Sequence, residues 1–187
     1  MKKLNAMIVM LLVAGSALAQ TTWSVDKAHS KLGFTVTHMM ISEVDGTFNS
    51  FDAKIVAAKE DFSDATVELT ADINSVDTNN EGRDKHLKSP DFFDAAQFGT
   101  LSFKSTSIKK TGEKTFKVTG DLTMHGVTKS VELDATLIGT TAGRDGKKVS
   151  GWKVTGTINR IDFKVGSSSP GIGDEVTIVA KAEFKAS

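Results

Sequence analysis

The stretch Phe116–Leu137, FKVTGDLTMHGVTKSVELDATL, decides the fold. Phe116, Val118, Leu122 and Met124 alternate with Lys117, Thr119, Asp121 and Thr123. After His125-Gly126-Val127 the alternation resumes, with Val131, Leu133, Ala135 and Leu137 set against Glu132, Asp134 and Thr136. A period of two is the mark of a strand with one buried face. A short glycine-containing turn between two such runs predicts an antiparallel hairpin.

The same pattern recurs on both sides. Leu32, Phe34 and Val36 form one alternating run, and Val44, Gly46 and Phe48 a second, with a parity break before Phe51 that predicts a bulge. Val67, Leu69, Ala71 and Ile73 follow, then Leu101 and Phe103. Beyond the opening hairpin come Trp152, Val154 and Ile158, and finally Val176, Ile178, Ala180, Ala182 and Phe184. Thr111-Gly112-Glu113 and Gly143-Arg144-Asp145-Gly146 supply turns between neighbours, so pairing is sequential. Only residues 79–97 break the rhythm. Ser89-Pro90 there reads as an N-cap and first helical position, with Leu87, Phe92, Phe93 and Phe98 as the apolar side of a short helix.

The expected fold is therefore all-β: an eight-stranded antiparallel up-and-down barrel with a short helical excursion between its third and fourth strands. Closure removes the exposed edges an open sheet would leave. The alternate positions carry Lys, Glu, Asp and Thr, too polar for a lipid-facing surface, so the apolar face points inward. Eight strands enclose an interior that is either packed with side chains or holds one small ligand. Gly46, Gly120 and Gly156 lie in mid-strand on the apolar face, where they either leave room or mark the bends that let a sheet coil.

Composition narrows the function. The 187 residues carry 23 Lys plus Arg against 23 Asp plus Glu, and cysteine is absent. Disulfides, thiolate metal sites and thiol nucleophiles are thereby excluded. Lys2 and Lys3 precede an apolar run, and Ala17-Leu18-Ala19 has the small-residue pattern of a cleavage site, so residues 1–19 read as a secretory signal peptide and residues 20–187 as one domain. The expected location is the periplasm. Loss of two lysines leaves 21 basic against 23 acidic groups, net −2, too little positive charge to hold nucleic acid. No later run is long enough for a membrane-spanning helix, so stable membrane insertion is not expected. Eleven Phe and two Trp without a single Tyr point to a greasy interior more than to a protein interface.

Up-and-down topology places alternate connections at one rim. If the first strand runs toward Met39, that rim gathers His38, Arg83, Asp84, His86, His125, Arg160 and Asp162, while His29 and Arg144 fall to the other. These seven are the candidate mouth or head-group residues. Candidate cavity residues are Phe34, Val36, Phe48, Leu69, Phe103, Val118, Leu122, Leu133, Trp152, Val154 and Ile178. A greasy interior ending in His and Arg donors suits a lipid with a polar or anionic head. Arg160 follows Ile158 by two positions and so points inward at a strand end, where its charge needs a partner; Asp162 and Asp84 are the carboxylates in view.

Several ordered blocks together carry a family resemblance: Trp23-Ser24-Val25-Asp26, His29-Ser30, Phe34–His38, Val44–Phe48, Arg83–Leu87 running into Asp91–Asp94, Leu122–Lys129 and Asn159–Phe163. The chain resembles the YceI-like family of bacterial periplasmic polyisoprenoid-binding proteins over nearly all of residues 20–187. It departs at Phe98-Gly99-Thr100 and Phe163-Lys164-Val165, both near the expected mouth. The resemblance implies a lipocalin-like barrel that binds a long-chain isoprenoid or other amphiphilic lipid, of quinone-precursor or polyprenyl type, with no catalysis and no further cofactor. It leaves a homodimer open. Two other readings compete: a metal-dependent hydrolase using His38, His86 and His125 with Asp84 or Asp162, and a packed barrel serving as an interaction module.

Overall fold

The computed structural model describes residues 20–187; the expected signal peptide lies outside them. Ten strands carry the fold: β1 (Thr21–His38), β2 (Ser42–Phe48), β3 (Phe51–Ala57), β4 (Thr66–Asp72), β5 (Val76–Asp77), β6 (Thr100–Lys110), β7 (Thr115–Met124), β8 (Val127–Ala142), β9 (Lys148–Asn159) and β10 (Ile172–Ala186). Each pairs antiparallel with its neighbour, and β10 returns to β1 to close the ring. β2 and β3 are two halves of one ribbon, broken at Asn49-Ser50, where the bulge was expected. The first half pairs with Leu32–His38 of β1 and the second with Thr21–Ser24. Counted so, with the two-residue β5 a side fragment on β2, the molecule is a closed eight-stranded barrel.

Sequence alternation becomes an inside and an outside. Phe116, Val118, Leu122 and Met124 of β7 are buried, as are Leu133 and Ala135 of β8, while the intervening Lys, Asp and Glu residues face water, where Lys117 bridges Glu132 and Asp134 at 3.1 and 2.9 Å. The β7–β8 turn is tighter than its sequence suggests. Met124 pairs directly with Val127, leaving His125 and Gly126 as a two-residue loop with φ of 50° and 71°, the left-handed pair that a hairpin's twist favours.

β1 begins at Thr21, eleven residues before the alternation that starts at Leu32. Trp23 and Val25 turn inward, then the parity is lost, and the register against β10 slips between Asp26 and Lys31. Side chains fill the interrupted ladder: the Ser30 hydroxyl accepts the Glu183 N–H at 3.0 Å, and Asp26 accepts the Ala28 N–H at 3.1 Å.

The excursion between β4 and β6 holds one helix, α1 (Glu81–Leu87), and its place corrects the sequence reading. Asn80, not Ser89, is the N-cap, its side chain accepting the Arg83 N–H at 2.9 Å. Ser89-Pro90 comes after the helix. The Ser89 hydroxyl donates to the His86 carbonyl at 2.7 Å, so it closes the last turn instead of opening a new one, and Pro90 cannot continue it.

The mid-strand glycines do not hollow the barrel. A Cβ at Gly46 would collide with the Phe34 ring, one at Gly120 with Phe103, and one at Gly156 with Leu133. Large neighbours lie over these positions, so the glycines let bulky side chains bend flat against the wall. The space inside comes from the ring of strands itself.

Candidate functional site

One end of the barrel is sealed by aromatic rings. Trp23 and Trp152 flank Phe62 with ring centroids 5.2 and 5.1 Å away, and Phe116 stands 5.5 Å from Trp152. Phe62 comes from the β3–β4 loop and is 2% exposed, with φ of 57°. The Trp152 indole N–H, which needs a partner once buried, donates to the hydroxyl of the fully buried Ser150 at 3.1 Å.

Above this floor lies a cavity of about 580 Å³ with an almost wholly apolar wall. That volume falls within the roughly 300–1,000 Å³ of small-molecule sites. All eleven cavity candidates, Phe34, Val36, Phe48, Leu69, Phe103, Val118, Leu122, Leu133, Trp152, Val154 and Ile178, stand in its lining. Phe62 and the β10 face Val176, Ala180 and Ala182 join them. Toward the other end the excursion leans over the opening: Leu87, Phe92 and Phe93 line it, and Phe93 packs edge-on against Phe48, 6.0 Å between centroids.

The mouth residues separate into two groups. His38, Arg83, His86 and Arg160 border the cavity, whereas Asp84, His125 and Asp162 do not. Asp84 is turned to the backbone, accepting the Thr78 N–H at 2.9 Å and the Thr78 hydroxyl at 2.5 Å. Arg83 grips the same threonine, donating to its hydroxyl at 2.7 Å and its carbonyl at 2.8 Å. His86 lies 3.1 Å from the Asp91 carboxylate and edge-on to Phe92. His125 packs its ring against Phe98 at 4.7 Å, with a buried Nδ1 that has no hydrogen-bond partner.

Arg160 is the most constrained. Its residue is 4% exposed, and all three guanidinium nitrogens are engaged: Nε donates to the Gly173 carbonyl, Nη1 to Val165, and Nη2 to Ser167, Ile172 and the Asp174 carboxylate, all within 2.9–3.2 Å. Its ionic partner is therefore Asp174, on β10, not Asp162 or Asp84. Burial pulls its pKa below the ordinary arginine value and Asp174 works against that shift. Arg160 ties the 164–173 loop to the start of β10 and has no free fork for a ligand head.

No rim histidines converge on a metal. Among the described residues, the grouping of His and carboxylates within coordinating reach is Asp26, His29 and Glu183, on the outer face of β1 and β10. The Lys185 ammonium already sits 2.8 Å from Asp26. Nothing supports the hydrolase arrangement of His38, His86 and His125.

Of the floor residues, Trp152 is legible in the sequence as a cavity residue and Phe62 is not. Phe62 sits in a loop without periodicity, and its only signal was a lone large apolar residue between Asp61 and Ser63.

Comparison with known proteins agrees with this architecture. A UPF0312 protein of Staphylococcus aureus (strain N315) is 39% identical over 176 residues, covering 89% of this chain and 99% of the relative. The crystal structure of the Campylobacter jejuni YCEI protein superposes with a TM-score of 0.71 at 33% identity, covering 86% of this chain and 95% of that one. A polyisoprenoid-binding domain from Saccharophagus degradans, implicated in plant cell wall breakdown, shares the fold with a TM-score of 0.64 at 16% identity, covering 88% and 98%. The YceI-like domain matches residues 23–184, nearly the whole of the described barrel, and the chain belongs to the YceI-like family.

Proposed function

We propose that this protein is a lipid-binding carrier that holds a polyisoprenoid or similar long-chain amphiphile in its barrel, for transport, storage or sequestration in the periplasm. The observation that carries this reading is the 580 Å³, almost wholly apolar cavity, floored by aromatic rings and bordered at the opposite end by His38, Arg83, His86 and Arg160. The naming of the S. degradans domain as polyisoprenoid-binding supports the ligand class. The chain supplies most of the affinity. Each CH₂ removed from water is worth about 0.8 kcal/mol, whereas a typical head-group hydrogen bond nets about 1 kcal/mol. Selectivity for the chain over the head follows, and quinone precursors and polyprenyl carriers are both suitable cargo. Arg83 and His86 are the polar residues placed to meet a head group, and catalysis has no part.

Native mass spectrometry and solvent extraction of protein secreted through its own leader test this reading. The expected result is one isoprenoid-class lipid per chain. Protein that comes out empty and fails to take up a fluorescent farnesyl probe would overturn it.

A further inference from the structure

Four large apolar side chains are strongly exposed among the described residues, and three of them are consecutive: Met39 at 58%, Met40 at 83% and Ile41 at 84%. They form the whole of the β1–β2 turn, between the paired His38 and Ser42. The fourth, Ile138, stands alone on β8. Single exposed apolar residues are ordinary, but an unbroken run at the tip of a hairpin is not. Its backbone is also unusual. Met39 and Met40 hold φ of 50° and 61°, the left-handed region where a hairpin normally places Asn or Gly.

The turn is fixed in place. The Met39 N–H donates to the Gly171 carbonyl at 3.0 Å and the Ile41 N–H to the His38 carbonyl at 3.2 Å. His38 pairs with Ile172 of β10, and both residues border the cavity mouth. A rigid support therefore presents three greasy side chains, with no ionised group among them, beside the opening.

We propose that the Met39–Ile41 turn is a membrane-docking tip that enters the outer layer of a lipid bilayer and sets the cavity mouth against the membrane; this rests on the isoprenoid-carrier reading. Two arguments select a bilayer as the occupant. On the carrier reading the cargo is water-insoluble and resides in membranes, and the tip adjoins the door through which it must pass. Three side chains offer far less than the roughly 800 Å² per partner that a stable protein interface buries. Shallow insertion needs only a small apolar surface at the headgroup boundary, and the unbranched, pliable Met side chain suits a fluid partner.

The test compares wild type, Met40→Ser/Ile41→Ser and Ile138→Ser, using neutral phosphatidylcholine vesicles with and without a dansyl-farnesyl probe. The expected result is a tenfold or greater loss in probe uptake from vesicles, and loss of vesicle flotation, in the turn variant alone. Its affinity for probe titrated in buffer stays within twofold of wild type. Uptake at the wild-type rate by the turn variant, or an equal loss in Ile138→Ser, overturns the proposal. So does sedimentation showing a wild-type dimer that the turn variant dissolves, which would make the turn a self-association surface. If wild type binds no probe in buffer, the carrier reading fails, while flotation on probe-free vesicles still decides the tip.

Discussion

The ring of Phe34 occupies the place a side chain at Gly46 would take. The two face each other across the β1–β2 ladder, and a Cβ at Gly46 would fall inside the ring's contact distance at three of its carbons. Phe103 does the same at Gly120, and Leu133 at Gly156. Each glycine removes a side chain so that a larger one can lie along the wall. These pairings thin the lining at three places around the wall.

Gly46→Ala should accordingly push Phe34 toward the lumen. Overpacking of this kind costs about 1–3 kcal/mol, against an entropic gain of about 0.4–1 kcal/mol for replacing glycine. The expected net effect in urea unfolding is a loss of stability together with weaker uptake of a farnesyl probe. Gly139→Ala is the control. Nothing lies within 4 Å of its Cβ, so its stability should stay within about 0.5 kcal/mol of wild type.

Arg160→Met should be among the costliest single changes in the chain. It strands the Asp174 carboxylate and leaves the carbonyls of Gly173, Val165, Ser167 and Ile172 without their donor. Breaking a largely buried hydrogen-bond network with five acceptors on one guanidinium costs about 3–5 kcal/mol, read as a lower midpoint in urea. Asp174→Asn keeps the carbonyl contacts, and its side chain is 34% exposed, so about 1 kcal/mol is expected there. Probe affinity in Asp174→Asn should remain within twofold, because the guanidinium serves the loop and not the cargo.

The sequence made the strands legible and the connections much less so. Alternation in residues such as Val131, Leu133 and Ala135 reports directly which side chains meet the interior, because a strand's geometry has no other way to bury one face. Arg160 was half legible: its parity showed an inward charge in need of a partner, but Asp174 lies fourteen residues away across a loop whose path no local pattern encodes. Phe62 was illegible for the same reason. The helix lies nine residues, about two and a half turns, before the expected start because Asn80 and Ser89 are both good caps, and the choice between them was settled by Asp84 and Arg83 closing on Thr78.

Acid should weaken the β1–β10 seam through Asp26. Hydrogen bonds from Lys185 first and His29 second hold its carboxyl well below the usual carboxylate range. A folded-state pKa below the unfolded one contributes stability that is present above the unfolded value, about 3.9, and lost as pH falls below it. The Tm gap between wild type and Asp26→Asn should therefore be widest above pH about 5 and close as the pH drops below about 4. A gap that is constant down to pH 2 would show that the ion pair contributes nothing to the seam.

Filling the cavity should separate binding from stability. Ala180 lies inward on β10, paired with Leu32 and Val154, and lines the open space while remaining only partly buried by protein. In Ala180→Trp the new indole enters space that is empty, so it meets little of the resistance a packed core would offer and gains apolar burial of its own. The Tm should hold or rise. The cargo, by contrast, loses the volume it needs, and probe affinity should fall at least tenfold. Unchanged affinity with a raised Tm would mean that the ligand sits elsewhere, and a sharply lowered Tm would mean that the interior around Ala180 is already full.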